Sequence, residues 1–434
     1  MKAIRADLLD FTASPTWGAT DDPAVRWRPE HWLLVGDDGR IQSVQAHEPG
    51  PAYERHDHRG RLLMPGFIDT HVHSPQVGVM ASYGTELLDW LNTYTFPAES
   101  AWADPAVASA GTAHFLDALL AHGTTTAVVF ATVHKTSADA LFEQASARRM
   151  RVIGGKVLMD RHAPPALLDT VAHAERDCVD LIQRWHGQGR NSYAVTVRFA
   201  PTSTAAQLAM AGELCRADSS LYMQTHVAEN RDEVRWVAEL FPHARSYLDV
   251  YAGHGLLHPR SVLAHGIWLD DTDRHAVRDA GAQIAFCPSS NLFLGSGLFD
   301  WRAAIAAGMH VSLASDVGGG TSLSMQRTLA DAYKVQALLA TAAGHRLTAW
   351  YALHGATRGA AQALRLDHEI GSLEPGLMAD FCLWDRSVNA IDSHRQSVAR
   401  DLHEQLFAWL LLSDDRHLAS AWVAGRQQYH RRTA

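Results

Sequence analysis

Residues 66–73 read Gly66-Phe67-Ile68-Asp69-Thr70-His71-Val72-His73, an apolar run that ends in two histidines. One residue separates His71 from His73, and alternate residues of an extended strand point to the same face. The two imidazoles can therefore converge on one ion. This spacing indicates a strand that ends in a pair of metal ligands.

Similar runs recur through the middle of the chain. Between residues 63 and 316, eight short apolar or β-branched runs each precede a longer segment with helical periodicity. These runs cover residues 64–73, 124–130, 151–159, 193–199, 221–226, 261–265, 283–287 and 310–316. Eight such units predict an α/β fold of the (β/α)8 TIM-barrel type. A doubly wound open sheet is the alternative, but no glycine-rich phosphate-binding turn follows the first run.

The two ends of the chain have a different character. Short alternating runs at residues 32–35 and 41–44 are joined across Asp37-Asp38-Gly39, which predicts a β-hairpin. Residues 370–384 and 419–429 carry similar runs around glycine-containing turns. We therefore expect the two ends to pair into one small β-sandwich domain.

These patterns predict three segments in a chain of 434 residues. Residues 1–62 form the N-terminal part of the β domain, and residues 370–434 form its C-terminal part. Residues 63–369 form a barrel domain between these two parts. Single α/β barrels often exceed about 250 residues, so the length fits.

Composition describes an ordinary globular protein, with 47% hydrophobic residues, 20% charged residues and a net charge of −9. No stripe of lysine and arginine appears, so we expect no nucleic-acid partner. No apolar stretch approaches the roughly 20 residues of a membrane span. Asp7 and Asp10 lie where a secretory signal would place its apolar core, so we expect a cytoplasmic protein with no membrane partner.

The cysteines are scattered and form no CxxC pair. They are Cys178, Cys215, Cys287 and Cys382. This spacing predicts neither a disulfide framework nor a thiolate zinc site. We expect four buried, small apolar side chains.

Four of the runs end in side chains of the kind that bind metals: His71 with His73, then His226, His265 and Asp316. In a barrel the C-terminal ends of the strands meet at one face, where catalytic residues collect. Nitrogen and oxygen ligands suited to Zn²⁺ or Fe²⁺ come from His71, His73, His226 and Asp316, and a position stays open for water. Such an ion can lower the pKa of its water to about 7, so the expected nucleophile is a metal-activated hydroxide. A single strand histidine is more often a hydrogen-bonded core residue, but ligands at four strand ends favour a metal site.

Glu229 follows His226 by three residues, where the strand gives way to the next helix. A carboxylate there can exchange protons with the nucleophile and the leaving group. The alternative is a helix-terminal carboxylate that complements the helix dipole. His265 can contact the transition-state oxygen or the substrate, or it can support other residues.

Residues 65–73, together with His226, His265 and Ser315-Asp316, resemble the amidohydrolase superfamily of metal-dependent TIM-barrel hydrolases with a flanking β domain. More narrowly, six segments are similar to the guanine deaminase family of that superfamily. They are residues 73–76, 81–84, 88–97, 197–199, 226–233 and 316–320. The resemblance extends over nearly the whole chain.

This resemblance implies hydrolytic deamination of guanine to xanthine and ammonia, in purine catabolism or salvage. It also implies a homodimer and one zinc ion per chain, with Fe²⁺ as an open alternative. The implied metal ligands are His71, His73, His226 and Asp316. Glu229 and Asp316 would share the proton transfers, and His265 would assist near the attacked carbon.

The resemblance also assigns Gln76, Arg198 and Phe199 to binding of the purine. Arginine is a donor-only fork that suits the O6 and N7 acceptors of guanine, a contact worth about 1–3 kcal/mol of discrimination in nucleic-acid complexes. Adenine has a donor amino group at C6, so we expect Arg198 to select against it. Gln76 supplies both a donor and an acceptor. The alternative for Arg198 is a salt bridge at a strand end.

Three further features have two interpretations each. The aromatic residues Trp90, Tyr94 and Phe96, after Tyr83, can stack on the purine or cover the site, or they can pack in the core. Gly318-Gly319-Gly320 can allow a close approach of the backbone to a ligand, or can form only a tight turn. Lys156 lies on the third run, where we expect a structural or supporting role.

Two alternatives to guanine deamination stay open at this point. The first is deamination of a related ring, such as 8-oxoguanine, ammeline or cytosine, because the metal chemistry is shared and the pocket selects the substrate. The second is a metal-free binding or assembly protein, in which loss of ligands would be expected. Cysteine-ligated nucleobase deaminases are excluded as a scaffold because the CxxC pair is missing.

Overall fold

The computed structural model describes residues 1–83, 87–340 and 346–431. Gly84, from the motif at residues 81–84, and the last three residues of the predicted C-terminal segment lie outside the described residues. Within these ranges, no helix combines the length and the apolar character that crossing a membrane requires.

The strands of the described ranges form two sheets. Their bounds are β1 Lys2–Phe11, β2 Val25–Val35, β3 Ile41–Gln45, β4 Glu54–Pro65, β5 Phe67–His73, β6 Thr124–Phe130, β7 Arg151–Gly155, β8 Val157–Leu158, β9 Asn191–Val197, β10 Tyr222–Val227, β11 Ser261–His265, β12 Gln283–Phe286, β13 His310–Leu313, β14 Phe381–Trp384, β15 Leu418–Val423 and β16 Arg426–His430.

Helices separate most of the strands in the middle of the chain. Their bounds are α1 Leu87–Trp90, α2 Phe96–Ser100, α3 Pro105–Ala121, α4 Lys135–Ala147, α5 Val171–Trp185, α6 Ala205–Ala217, α7 Arg231–Leu240, α8 Tyr247–Gly253, α9 Asp271–Ala280, α10 Pro288–Phe293, α11 Trp301–Ala306, α12 Met325–Leu339, α13 Ala349–Gly355, α14 Arg358–Ala363, α15 Ala390–Ser397 and α16 Leu402–Leu412. Local sequence sets several helix starts, because the side chains of Thr170, Thr204, Ser246 and Asp270 each accept a hydrogen bond from a backbone N–H in the first turn.

The predicted barrel is confirmed. Its strands are parallel and follow the order β13-β12-β11-β10-β9-β7-β6-β5, with β8 paired to β9. Beyond β13, the backbone N–H of Asp316 donates to the carbonyl of His71 at 2.9 Å, and the N–H of His73 donates to Val317 at 2.8 Å. These bonds join the ligand-bearing end of the first barrel strand to the segment after the last one.

Most predicted strands are found within a few residues of their expected bounds. β6 and β11 match residues 124–130 and 261–265. The eighth run ends as a strand at Leu313 rather than at residue 316, and Asp316 itself has φ +50°, in the left-handed region. The third run divides into β7 and β8 at Lys156.

Lys156 lies at that interruption, and its ammonium group is buried. It forms ion pairs with Asp169 at 2.6 Å and Asp177 at 3.0 Å, and donates to the carbonyl of Val133. Asp169, Asp177 and His173 together resemble a metal-binding group. The lysine already supplies a positive charge between the two carboxylates, so we assign Lys156 the structural role expected from the sequence.

The second sheet is mixed and contains strands from both chain ends, as predicted. Its order is β16-β15-β14-β4-β1-β2-β3, with β1 and β4 parallel. β2 and β3 form the expected hairpin, in which Val35 faces Ile41 and Gly39 adopts φ +81° in the turn. Buried apolar side chains that include Ile4, Leu33, Phe381 and Trp422 form its core.

The chain divides into two compact units. One contains Met1–Asp69, Asp117–Thr126 and Leu323–Ala434, and the other contains Thr70–Leu116 and Ala127–Ser322. The residues of the candidate site all belong to the second unit. The sequence-based boundaries after residues 62 and 369 stay a prediction. All four cysteines are buried, as expected, and none of the four forms a disulfide.

Candidate active site

Three histidines and one aspartate meet at the C-terminal ends of the barrel strands. His71, His226, His265 and Asp316 each offer one ligand atom, and these atoms lie within 4.8 Å of one another. Nε2 of His73 lies 3.2 Å from Nε2 of His71 and 3.3 Å from Oδ1 of Asp316. These imidazole and carboxylate groups fit a single Zn²⁺ or Fe²⁺.

Hydrogen bonds at the far side of two rings fix their orientation. Nδ1 of His226 donates to the carbonyl of Arg198 at 2.7 Å, and Nδ1 of His265 donates to Oδ1 of Asn291 at 2.8 Å. A proton on Nδ1 leaves the lone pair of Nε2 toward the cluster. Both rings therefore have the tautomer that a metal ligand needs.

The protonation states of the cluster also suit a cation. Burial lowers the pKa of His73 to about 3, although Asp316 opposes this shift. Desolvation and the neighbouring imidazoles hold the pKa of His226 well below its usual value. Burial opposes ionisation of Asp316, but the facing imidazoles of His71 and His73 outweigh it and hold its pKa well below the usual value. Neutral imidazoles and an ionised carboxylate are the forms that bind metals.

Glu229 lies between β10 and α7, and its neighbours in sequence direct it into the site. Ala228 adopts φ +48°, which turns the chain out of the strand. Asn230 caps α7, and Oε2 of Glu233 accepts the backbone N–H groups of Asn230 at 3.1 Å and Glu229 at 3.0 Å. Glu233 therefore fills the role of helix-terminal carboxylate that was the alternative for Glu229.

The carboxyl group of Glu229 is buried beside the histidine and aspartate cluster. Ser296 Oγ donates to Oε1 at 2.9 Å, and Nε2 of His265 lies 3.4 Å from Oε2. Burial, and then the negative charge of Asp316, raise the pKa of Glu229 to about 8. A pKa near neutrality suits a general acid and base.

A cavity opens beside this cluster. Its lining includes Trp90, Leu91, Glu233, Leu294 and Gly319, together with the predicted site residues His73, Gln76, Arg198, Phe199, His226, Glu229, His265 and Asp316. His71 lies next to this lining, in contact with His73 and Asp316. The structure thus brings together every site residue predicted from the sequence.

The sequence model of the Amidohydrolase family matches residues 62–427. The chain belongs to the amidohydrolase family. Guanine deaminase from Escherichia coli (strain K12) is 41% identical to it over 436 residues, covering 99% of this chain and 98% of that protein.

Solved structures of guanine deaminases share the fold of this amidohydrolase. E. coli guanine deaminase has a TM-score of 0.94 at 40% identity, and the match covers 100% of both chains. Guanine deaminase from C. acetobutylicum, solved with guanine bound in its active site, has a TM-score of 0.89 at 27% identity, covering 99% of this chain and 100% of that chain. The resemblance to guanine deaminases inferred from the motifs is confirmed.

Arg198 forms a salt bridge, the alternative to purine binding in the sequence analysis, and it also lines the cavity. Its Nη1 lies 2.7 Å from Oε1 and 2.8 Å from Oε2 of Glu99. The same Oε1 accepts a hydrogen bond from Nε2 of Gln76 at 2.8 Å. Glu99 therefore contacts both polar residues that were assigned to the purine.

Sequence reasoning missed several residues of the site. Glu233 was detectable, because an asparagine followed three residues later by glutamate is a capping-box signature. Glu99, Asn291 and Ser296 carry no such local signal. Each reaches the site from a segment far away in the chain.

The open interpretations of the aromatic and glycine residues are also resolved. Trp90 lines the cavity and packs with Phe96 in an apolar cluster of the second unit, against which the partly buried Tyr94 also packs, whereas Tyr83 is 85% exposed. Gly319 lines the cavity. A Cβ on Gly320 would lie 1.7 Å from the carbonyl oxygen of Ser315, so the tight turn requires glycine there. The glycines thus serve both the turn and the cavity wall.

Proposed function

We propose that this amidohydrolase hydrolyses guanine to xanthine and ammonia. The observation that carries the proposal is the buried Glu229 carboxyl group beside the ligand cluster, at a cavity that Arg198 and Gln76 also line. Similarity to guanine deaminases over nearly the full chain supports the same substrate.

We further propose that His71, His73, His226 and Asp316 hold one Zn²⁺ per chain. The same ligands suit Fe²⁺, and elemental analysis separates the two metals. When bound, the ion lowers the pKa of a water molecule and so supplies the nucleophile.

In this proposal Glu229 carries the proton that the reaction must move. Attack of water at C2 of guanine forms a C–O bond and releases a proton, while loss of ammonia breaks the C2–N bond and consumes one. Glu229 accepts the first proton as a carboxylate and delivers it to the purine or the leaving amino group. Asp316 shares these transfers, and His265, 3.4 Å from Glu229, orients the groups at the attacked carbon.

Gln76, Arg198 and Phe199 hold the purine in this proposal. Arg198 offers donors only, which suit the O6 and N7 acceptors of guanine and oppose the amino group of adenine. Phe199 contributes an apolar surface, and its ring contacts Trp236 at a centroid distance of 6.1 Å.

The proposal is tested by following guanine loss and xanthine formation with purified protein whose metal content is measured in the same preparation. We expect turnover of guanine, with about one Zn²⁺ per chain. Ammonia release from 8-oxoguanine, ammeline and cytosine is the comparison. A ring that is preferred over guanine would contradict the assigned substrate, and full activity without metal would contradict the cofactor.

Replacement of Arg198 with lysine is expected to lower kcat/KM for guanine by roughly 10- to 100-fold, mainly through KM. Lysine keeps the positive charge beside Glu99 but loses the planar fork. The measurement is steady-state kinetics with guanine. Arg235→Lys, at an exposed ion pair on α7, is the matched control and should retain wild-type kinetics. An unchanged KM for guanine in Arg198→Lys would show that Arg198 does not take part in purine recognition.

The homodimer and the cytoplasmic location inferred from the sequence stay predictions. Sedimentation of the purified protein tests the first, and fractionation of the source cells tests the second.

A further inference from the structure

Glu99 is a buried charged residue with no assigned role. Its side chain is 0% exposed, and it lies in α2, outside the motifs that carry the family resemblance. Among the described residues, its two carboxylate oxygens accept hydrogen bonds from two cavity-lining residues, Arg198 and Gln76. A buried carboxylate is costly unless it is paired, and these contacts provide the pairing.

Glu99 determines which way the amide of Gln76 faces. A carboxylate only accepts, so the amide nitrogen of Gln76 must face Oε1 of Glu99, 2.8 Å away. The backbone N–H of Gly318 only donates, and it reaches Oε1 of Gln76 at 3.1 Å. Both neighbours demand the same orientation, so the amide cannot turn over without losing two hydrogen bonds.

Glu99 also holds the guanidinium of Arg198 in place. Both of its oxygens lie within 2.8 Å of Nη1, and the ring of Phe96 lies 5.9 Å from the guanidinium carbon. The side chain of Arg198 is 4% exposed. Glu99 engages only Nη1 in these contacts, which leaves Nε and Nη2 of the fork for other acceptors, and Arg198 lines the cavity.

We infer that Glu99 is a positioning residue for specificity: it holds one donor group of Arg198 and one of Gln76, so that the remaining N–H groups of both side chains face the oxygen-bearing edge of a 6-oxopurine. The inference rests on the proposed function, because it concerns the same cavity and substrate. Glu99 does not touch the purine in this arrangement. It acts through the two side chains that do.

The test is Glu99→Gln, which keeps the size of the side chain but removes the charge and one acceptor. The probes are hypoxanthine, which has O6, and unsubstituted purine, which lacks it, with binding measured by calorimetry. We expect Glu99→Gln to bind hypoxanthine roughly 10- to 100-fold more weakly than the wild type, because that is the effect of disturbing hydrogen bonds to charged groups. Binding of purine, which keeps N7 but has no O6 for these donors, should weaken clearly less than binding of hypoxanthine. For guanine, KM should rise more than kcat falls.

Glu143→Gln, an exposed position on α4, is the matched control and should behave as the wild type. Glu99→Asp keeps the charge with a shorter reach, and we expect it to restore part of the hypoxanthine affinity. It also supplies the test if Glu99→Gln does not fold, because wild-type hypoxanthine affinity in Glu99→Asp would then overturn the inference.

Equal losses of affinity for hypoxanthine and purine in Glu99→Gln, or a lower kcat for guanine at unchanged KM, would also overturn the inference about Glu99. A wild-type protein that does not turn over guanine would contradict the proposed function instead. The two failures are therefore distinguishable.

Discussion

Replacement of Glu229 with glutamine is expected to lower kcat for guanine by about 10²- to 10⁴-fold, the range that a positioned general acid and base contributes. Glutamine preserves the shape of the side chain and can still accept the hydrogen bond that Ser296 donates to Glu229. It cannot take up and release a proton. The measurement is single-turnover and steady-state kinetics, with metal content determined on the same sample.

The metal content of Glu229→Gln should equal that of the wild type, because Glu229 is not among the proposed ligands. Ser296→Ala is the matched control. It removes one hydrogen bond to the carboxyl group but leaves the proton carrier, so its loss of kcat should be far smaller. A Glu229→Gln protein that keeps near-wild-type kcat would refute the proton role, and one that loses its metal would show that Glu229 supports the ligand cluster.

Replacement of His226 with alanine is expected to lower both metal content and activity. The imidazole ring of His226 packs against that of His71, with a centroid distance of 4.6 Å, and its Nε2 faces the cluster. Loss of a direct ligand should cost more metal affinity than the roughly 10- to 100-fold that loss of an outer partner costs. Metal titration by competition with a chelator measures this change.

His243→Ala, at an exposed histidine beyond α7, is the control and should keep wild-type metal content. Excess Zn²⁺ should restore part of the activity of His226→Ala if the remaining ligands still bind the ion. Full occupancy of His226→Ala at wild-type affinity would exclude His226 from the ligand set.

Much of the fold could be predicted because its signals are local. β6 is buried throughout, and its continuous run of threonine, valine, alanine and phenylalanine is typical of a barrel strand covered on both faces. The hairpin at Gly39 follows from a turn residue that adopts a positive φ. The exact strand ends were less predictable, since the last barrel strand stops at Leu313, before Asp316, and the third run is divided at Lys156, whose charge is paired with the distant Asp169.

The candidate metal ligands were also recognisable in the sequence. His71 and His73 alternate on one strand, and His226, His265 and Asp316 each come at or just after the end of an apolar run. The TIM-barrel rule then places strand ends at one face, so local position was enough to predict that they meet. The pairing of Glu229 with His265 and Ser296 could not be predicted in this way.

The order of strands and helices, and the chemical types gathered at the strand ends, were thus already contained in the amino-acid sequence. The partners of the buried charges were decided by tertiary structure. Glu99 meets Arg198 across 99 residues, and Ser296 meets Glu229 across 67. The reason is physical: backbone periodicity depends on neighbours in sequence, whereas the pairing and pKa of a buried group depend on which distant segments exclude water from it.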